Sequence, residues 1–263
     1  MNKDIFNENE PCISIVLAVY NAAETLRSCL DSIINQSYRN KEILIIDGNS
    51  SDQTREILQE YTEHIAYQVS EPDRGIYDAW NKALKKCRGD YIAFIGADDT
   101  YANDEILMQL MKFASKNPRA DFISGRAVML NSDGNLRRLK GAEWQWSKFK
   151  RAMGVIEHRG ALHHRRLFEQ YGQFNPHWRI AGDYEFMLRA GPHLQTLFFP
   201  EVIVKAKTGG VSTRMVLLAY KELFQVQKHS PYISDFQAGI NLILNLVRYV
   251  TGNLKYKLRK KIG

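Results

Sequence analysis

"ISIVLAVYNAAETLRSCLDSIINQSYRNKEILIID", residues 13–47, decides the fold. It opens on an aliphatic, β-branched run, Ile13–Val19, that reads as a buried strand. It closes on a second such run, Glu42–Asp47, that ends on an acid. Between them Leu26, Leu30, Ile33 and Ile34 recur at helical spacing. Strand, helix, strand is the first unit of an alternating chain. "GNSSDQT" then turns, with Ser51 or Asp52 placed to cap the next helix. "IAYQVS" is a weaker third strand, "DRGIYDAWNKALKKC" a loop entering an amphipathic helix, and "DYIAFIG" a fourth strand. This alternation predicts an α/β fold: a mostly parallel central sheet, Rossmann-like, flanked by helices. Ligands of such sheets collect beyond the carboxyl ends of the strands. Tyr20, Asn21, Asp47, Asp73, Asp98 and Asp99 all fall at such ends or in the loops beside them.

The regularity stops near residue 120. "AVMLNSDGNLRRL" reads as a hairpin turning at Asp133-Gly134. "AEWQWSKFKRA" has helical spacing, and "HHRRLFEQYG" reads as a helix stopped by Gly172. "RIAGDYEFMLRAG" is a loop entering a helix, with Asp183 near its start and Gly191 at its end. "LQTLFF" and "EVIVKAK" read as two strands separated by Pro200. No linker or repeat divides this stretch. The expected organisation is one domain over 1–230, with a regularly wound half at 11–100 and an irregular half at 101–230, followed by a tail at 231–263. In the tail, Ser234 and Gln237 resemble a capping box. Phe236, Ile240, Ile243, Leu244, Val247 and Val250 share one helical face, and Arg248, Lys255, Lys257, Arg259, Lys260 and Lys261 follow with no acid among them. Two readings stand for this amphipathic helical tail: a helix packed on the core with a solvated basic end, or an anchor on an anionic membrane surface.

Bulk properties narrow the partners. A net charge of +7 favours an acidic one, such as a polyphosphate or an anionic surface. The three cysteines, Cys12, Cys29 and Cys87, show no zinc spacing and suit a reducing compartment. No secretory signal and no apolar run of the ~20 residues that span a bilayer is present. These features predict a cytoplasmic protein, with the tail allowing peripheral association at the inner face of the cell membrane. A basic nucleic-acid-binding protein is disfavoured, because the charge concentrates in the tail and no binding motif occurs.

The chemistry begins with what is missing. Neither GxxxxGK[ST] nor GxGxxG occurs, so no glycine-rich cradle holds a phosphate. A divalent cation can replace one: Mn²⁺ or Mg²⁺ takes one or two carboxylates and fills its other positions with phosphate and water oxygens. Asp98-Asp99 at a strand end suits that ion; alternatively the pair caps a helix starting near Asn103.

Residues 11–215 resemble glycosyltransferase family 2, whose members have the GT-A fold. "SIVLAVYNAAETLRSCLDSIINQSYRNKEILIIDGNSSDQT" and "SEPDRGIYDAWNKALKKCRGDYIAFIGADD" carry the resemblance, the latter ending in the family's metal motif as Ala97-Asp98-Asp99. "GDYEF" is similar to the region of the catalytic base, and "GGVST", Gly209–Thr213, to a loop near the acceptor. The resemblance implies an inverting transferase that takes a UDP-linked sugar as nucleotide-sugar donor and needs Mn²⁺ or Mg²⁺. It implies that Ala18, Tyr20 and Asn21 line the nucleotide pocket, that Asp47 binds uracil through its ring N–H, and that Asp73 and Arg74 flank the base or ribose. Asp98 would contact the ribose or a metal-bound water, Asp99 would ligate the metal, and Asp183 would be the general base. His158 would line the acceptor or diphosphate region or serve as a structural histidine, and Trp178 would lie in the acceptor region or in the core. The family often has an acid just before the base, where this chain has Gly182, which leaves Glu185 as a rival base. "KAKTGGVSTR" offers no match to the late metal-binding histidine of some GT-A enzymes. Trp144 and Trp146 either stack on acceptor sugar rings or belong to the core. The expected acceptor is a saccharide or lipid-linked saccharide in cell-envelope polysaccharide or glycolipid assembly. A sugar-phosphate nucleotidyltransferase is the alternative, disfavoured because "YNAAETLRS" lacks the glycine- and basic-rich loop that it needs.

Overall fold

The computed structural model describes residues 10–131, 133–207 and 215–262, with side chains described as far as Thr251. The "GGVST" loop and the lysines and arginines after residue 251 therefore lie outside the described side chains. Four strands, β1 (Ile13–Val19), β2 (Lys41–Asp47), β3 (Tyr67–Ser70) and β4 (Tyr91–Gly96), pair in parallel in the order β3-β2-β1-β4. The crossovers are α1 (Leu26–Ile34), α2 (Thr54–Glu60) and α3 (Ile76–Leu84). In β1, Ile13, Ile15, Leu17 and Val19 enter a core shared with Leu26, Cys29, Leu30 and Ile33 of α1. Val16, between them, enters a second core with Tyr77, Phe94 and Tyr184. Helices thus cover both faces of the sheet, which is why these strands are apolar throughout.

The sheet continues through antiparallel and parallel pairings. Short β5 (Asp99–Tyr101) is followed by α4 (Ile106–Ser115), then by the hairpin of β6 (Phe122–Leu130) and β7 (Leu136–Lys140). Next come α5 (Trp146–Phe149), β8 (Leu162–His164), α6 (Arg166–Tyr171), α7 (Gly182–Ala190), β9 (Thr196–Lys207), α8 (Val216–His229) and α9 (Asp235–Ile262). The order runs on from β4 as β8-β6-β9-β5.

Three features differ from the sequence reading. Residues 196–207 form one strand rather than two. The register against β6 jumps between Ser124↔Phe198 and Arg126↔Val202, so Pro200 sits in a bulge where no ladder N–H is required. His163 and His164 belong to β8, wedged antiparallel between β4 and β6, and the helix starts only at Arg166. Asp98-Asp99 caps no helix: Asp99 opens β5, whose partner β9 lies more than a hundred residues on.

Candidate functional site

The loops after β1 and β2 are laced together at the carboxyl edge of the sheet. Asn21 N–H donates to Ser50 Oγ at 2.8 Å, and Ser51 N–H to Asn21 Oδ1 at 2.9 Å. Asn21 and Asn49 hold left-handed backbone (φ 47° and 68°), which asparagine tolerates. This lacing turns Asp47 inward. It is fully buried, and its carboxylate accepts Ser50 N–H at 3.1 and 3.2 Å and the hydroxyls of Ser50 and Ser70 at 2.5 Å, with Arg55 Nε at 3.4 Å. Asp47 is thus held by donors of its own loop and of Ser70. Asp73 lies close by, across Gly48. A Cβ on Gly48 would lie 2.7 Å from Asp73 Oδ2 and 3.4 Å from the Tyr20 ring. Asp73 and the 67%-exposed Tyr20 thus meet over a bare glycine. Arg74 is exposed and pairs with Asp78 at 3.2 Å. Ala18 sits opposite Gly96 in the β1–β4 register, which brings the next carboxylates alongside.

Asp98 and Asp99 also converge over a glycine. A Cβ on Gly96 would lie 2.8 Å from Asp98 Oδ1 and 2.9 Å from Asp99 Oδ2. Asp98 is exposed, and Asp99 is 2% exposed with Arg159 Nη1 at 3.6 Å. Burial pushes the Asp99 carboxyl up to about 7; the Arg159 guanidinium opposes this and the Asp98 charge adds to it. Among the described residues no cluster of three metal-ligating side chains exists. The pair nevertheless fits Mn²⁺ or Mg²⁺, which need only one or two carboxylates when a substrate diphosphate completes the shell. A cation also offsets the mutual repulsion of the two acids.

Asp183 lies in the first turn of α7. Its Oδ1 is 3.2 Å from the Tyr77 hydroxyl, which donates to Ile180 C=O at 2.8 Å, and its Oδ2 is 3.9 Å from His158 Nε2. Buried Glu222 of α8 accepts the N–H groups of Arg179, Ile180 and Ala181, each at 2.9 Å, and so fixes the approach to α7. Gly182 lies against Tyr77: a Cβ there would be 2.7–2.8 Å from three ring carbons. Consecutive residues link the two acidic centres, since His158 reaches Asp183 and Arg159 reaches Asp99. Arg159 is held by both oxygens of Glu157, at 2.7 and 3.0 Å. Glu185 lies elsewhere. Two residues on from Asp183, it turns to the opposite side of the helix, where Arg189 grips it at 2.9 and 2.6 Å. With Trp178, His177 and His229 it lines a separate cleft of roughly 400 Å³.

The family model described as glycosyl transferase family 2 matches residues 14–175, well over half of the chain. The chain belongs to this family. A PGL/p-HBAD biosynthesis glycosyltransferase of Mycobacterium bovis is 29% identical over 244 residues, covering 90% of each chain. The structure of S. aureus TarS in complex with UDP-GlcNAc superposes with a TM-score of 0.66 at 17% identity, covering 91% of this chain and 73% of that one. A mannosyltransferase from Pyrobaculum calidifontis, in complex with GDP-Man and Mn²⁺, gives 0.62 at 16% identity, covering 97% and 81%. These two establish a GT-A fold.

In this family 2 glycosyltransferase the sequence reading missed Tyr77, Arg159 and Glu222. Tyr77 stood in a helical stretch with no partner in view. Arg159 was adjacent to His158 and distinguishable only by its contact with Asp99. Glu222 lies outside the stretch matched by the family model, in a segment for which the sequence reading offered no element. Trp144 and Trp146 pack on Phe149 at ring distances of 4.3 and 6.4 Å, as core residues do.

Proposed function

We propose that this glycosyltransferase moves a sugar from a UDP-linked donor to an acceptor hydroxyl with inversion, and that Asp183 is the general base. The observation that carries the reading is the loop at 157–160, whose adjacent side chains touch the base candidate and the carboxylate pair. One loop reaching both centres supports a direct displacement between donor and acceptor. Tyr20 and Asp73 receive the nucleobase, Asp73 accepting its ring N–H; Ala18, Asn21 and Arg74 frame the base and ribose. Asp98 takes the ribose side and Asp99 holds the metal. When bound, Mn²⁺ or Mg²⁺ neutralises the diphosphate as it leaves. Arg159 adds a fixed cation beside that charge.

Asp183 takes the acceptor proton. The acceptor O–H bond breaks toward a carboxylate oxygen as the oxygen attacks the anomeric carbon and the bond to the diphosphate opens. Tyr77 suits both states of this base. It can donate to the carboxylate, and with its proton on Ile180 C=O it can accept from the protonated acid. His158 steadies the second oxygen. The cleft of Trp178 and Glu185, on the far side of α7, takes the further saccharide of the acceptor. A saccharide or lipid-linked saccharide, used in cell-envelope polysaccharide or glycolipid assembly at the inner face of the membrane, is the acceptor class; a relative named for PGL/p-HBAD biosynthesis supports a biosynthetic role. A thermal-shift screen of UDP-, GDP- and dTDP-sugars with and without Mn²⁺ tests the donor. Stabilisation by UDP-sugars that depends on Mn²⁺ supports the reading. Stabilisation by GDP-sugars alone overturns the base, and equal stabilisation without metal overturns the role of Asp99.

A further inference from the structure

Helix α9 is inverted with respect to an ordinary surface helix. The residues it buries are Ala238 and two asparagines, Asn241 and Asn245. Asn241 Nδ2 donates to Lys150 C=O at 3.2 Å and to Gln227 Oε1 at 3.1 Å, while Asn245 Nδ2 donates to Arg151 C=O at 2.9 Å. Gln227 in turn donates to the Tyr184 hydroxyl at 3.0 Å, next to Asp183. These polar contacts fix the helix to α8 and, through it, to α7. At 100° per residue, the opposite side carries Phe236, Ile243, Leu244, Val247 and Val250, which are 79, 62, 45, 54 and 54% exposed. Leu217, in the first turn of α8, is 75% exposed, one turn from Tyr220, which touches Tyr249 of α9. Five apolar side chains of α9 thus face away from the body of the protein. A core helix would bury them, and a solvated helix would not carry them.

We propose that this face docks on an anionic lipid bilayer, with α9 lying in the interface plane. Charge complementarity selects that occupant over a second copy of the chain. Six basic residues and no acid follow Asp235: Arg248, Lys255, Lys257, Arg259, Lys260 and Lys261. Two copies paired through this face would bring twelve like charges together, whereas acidic headgroups attract all six. An apolar stripe followed along the chain by a basic run suits a helix that seats at the headgroup boundary. No helix among the described residues is long and apolar enough to cross a membrane, so the contact is with the surface. Because Asn241 and Gln227 tie α9 to Tyr184, docking also sets the orientation of the catalytic helix above the bilayer. The proposal does not depend on the donor or on the identity of the base.

Co-sedimentation of the full chain with vesicles tests it. Vesicles of phosphatidylcholine mixed with phosphatidylglycerol should bind the protein, and pure phosphatidylcholine vesicles should bind it at least about tenfold less. The double variant Ile243→Glu, Val247→Glu should lose binding by a similar factor with its melting temperature unchanged, since both side chains are exposed. Raised salt should weaken binding. Equal binding to both vesicle types, or undiminished binding of the double variant, overturns the proposal. So does a dimer of the parent chain, seen by light scattering, that the double variant converts to monomer without altering sedimentation.

Discussion

Replacing Gly182 by alanine adds one methyl group in the most constrained part of the site. The new Cβ would lie 2.7, 2.7 and 2.8 Å from three carbons of the Tyr77 ring. That is roughly 0.8 Å inside the ~3.5 Å of ordinary carbon contact. The ring cannot retreat. It is 4% exposed, its hydroxyl is bonded to Ile180 C=O at 2.8 Å, and Trp80 and Phe174 flank it at 5.3 and 5.7 Å. Overpacking of this kind costs ~1–3 kcal/mol. Helix propensity pulls the other way, since alanine exceeds glycine by at most ~1 kcal/mol in a helix interior and Gly182 is the first helical residue. The net expectation is a loss of about 1–2 kcal/mol, a fall of about 2–8 °C in melting temperature. Because Asp183 follows directly, turnover should fall as well while donor affinity holds. Urea unfolding and steady-state transfer measure the two effects, and a cycle with Tyr77→Leu should show the two substitutions coupled rather than additive. A Gly182→Ala variant as stable and as active as the parent would refute the packing argument, and with it the role given to Tyr77.

Glu222→Ala should destabilise the protein by about 2–4 kcal/mol, because three N–H groups leading into α7 lose their acceptor; urea unfolding together with kcat/KM checks it, both being expected to fall. His163 is buried against the rings of Phe94 and Phe122, and burial pushes its pKa down to about 3. Its folded pKa thus lies below the ~6.5 of the unfolded chain, so stability present above ~6.5 drains away as pH falls toward 3, by at most ~1.4 kcal/mol per pH unit. Between pH 7 and pH 5 the parent should lose up to about 2 kcal/mol that His163→Gln does not lose, and identical pH profiles would contradict this.

The first half of the fold was legible because its signals are local. Ile13–Val19, the stripe Leu26–Ile34 and Glu42–Asp47 each fix an element by their own periodicity, and βαβ geometry orders them. The second half depends on pairings between distant residues. β8 is a strand because Phe122 and Ile92 both pair with His163, and β9 runs through Pro200 because a bulge absorbs the missing donor. The same division holds in the site. Asp98, Asp99 and Asp183 were visible as acids at strand or helix ends. That Asp47 turns inward while Asp73 turns toward Tyr20 depends on Ser50, Ser70 and Gly48, which determine direction rather than identity. Arg159 and Glu222 act through contacts spanning 60 and 41–43 residues, which no local pattern reveals. In the tail the apolar periodicity was plain, but not that buried asparagines would hold the helix and leave that face bare.

In the proposed reaction Asp183 removes the acceptor proton while a separate constellation holds the donor. Transfer by Asp183→Asn, measured beside UDP-sugar and Mn²⁺ binding on the same preparation, tests it most directly. Asparagine keeps the size and the contact with Tyr77 but cannot take the proton. The kcat should fall at least ~10²-fold, within the ~10²–10⁴ of positioned base catalysis, with donor affinity unchanged. Near-normal turnover by Asp183→Asn would contradict it.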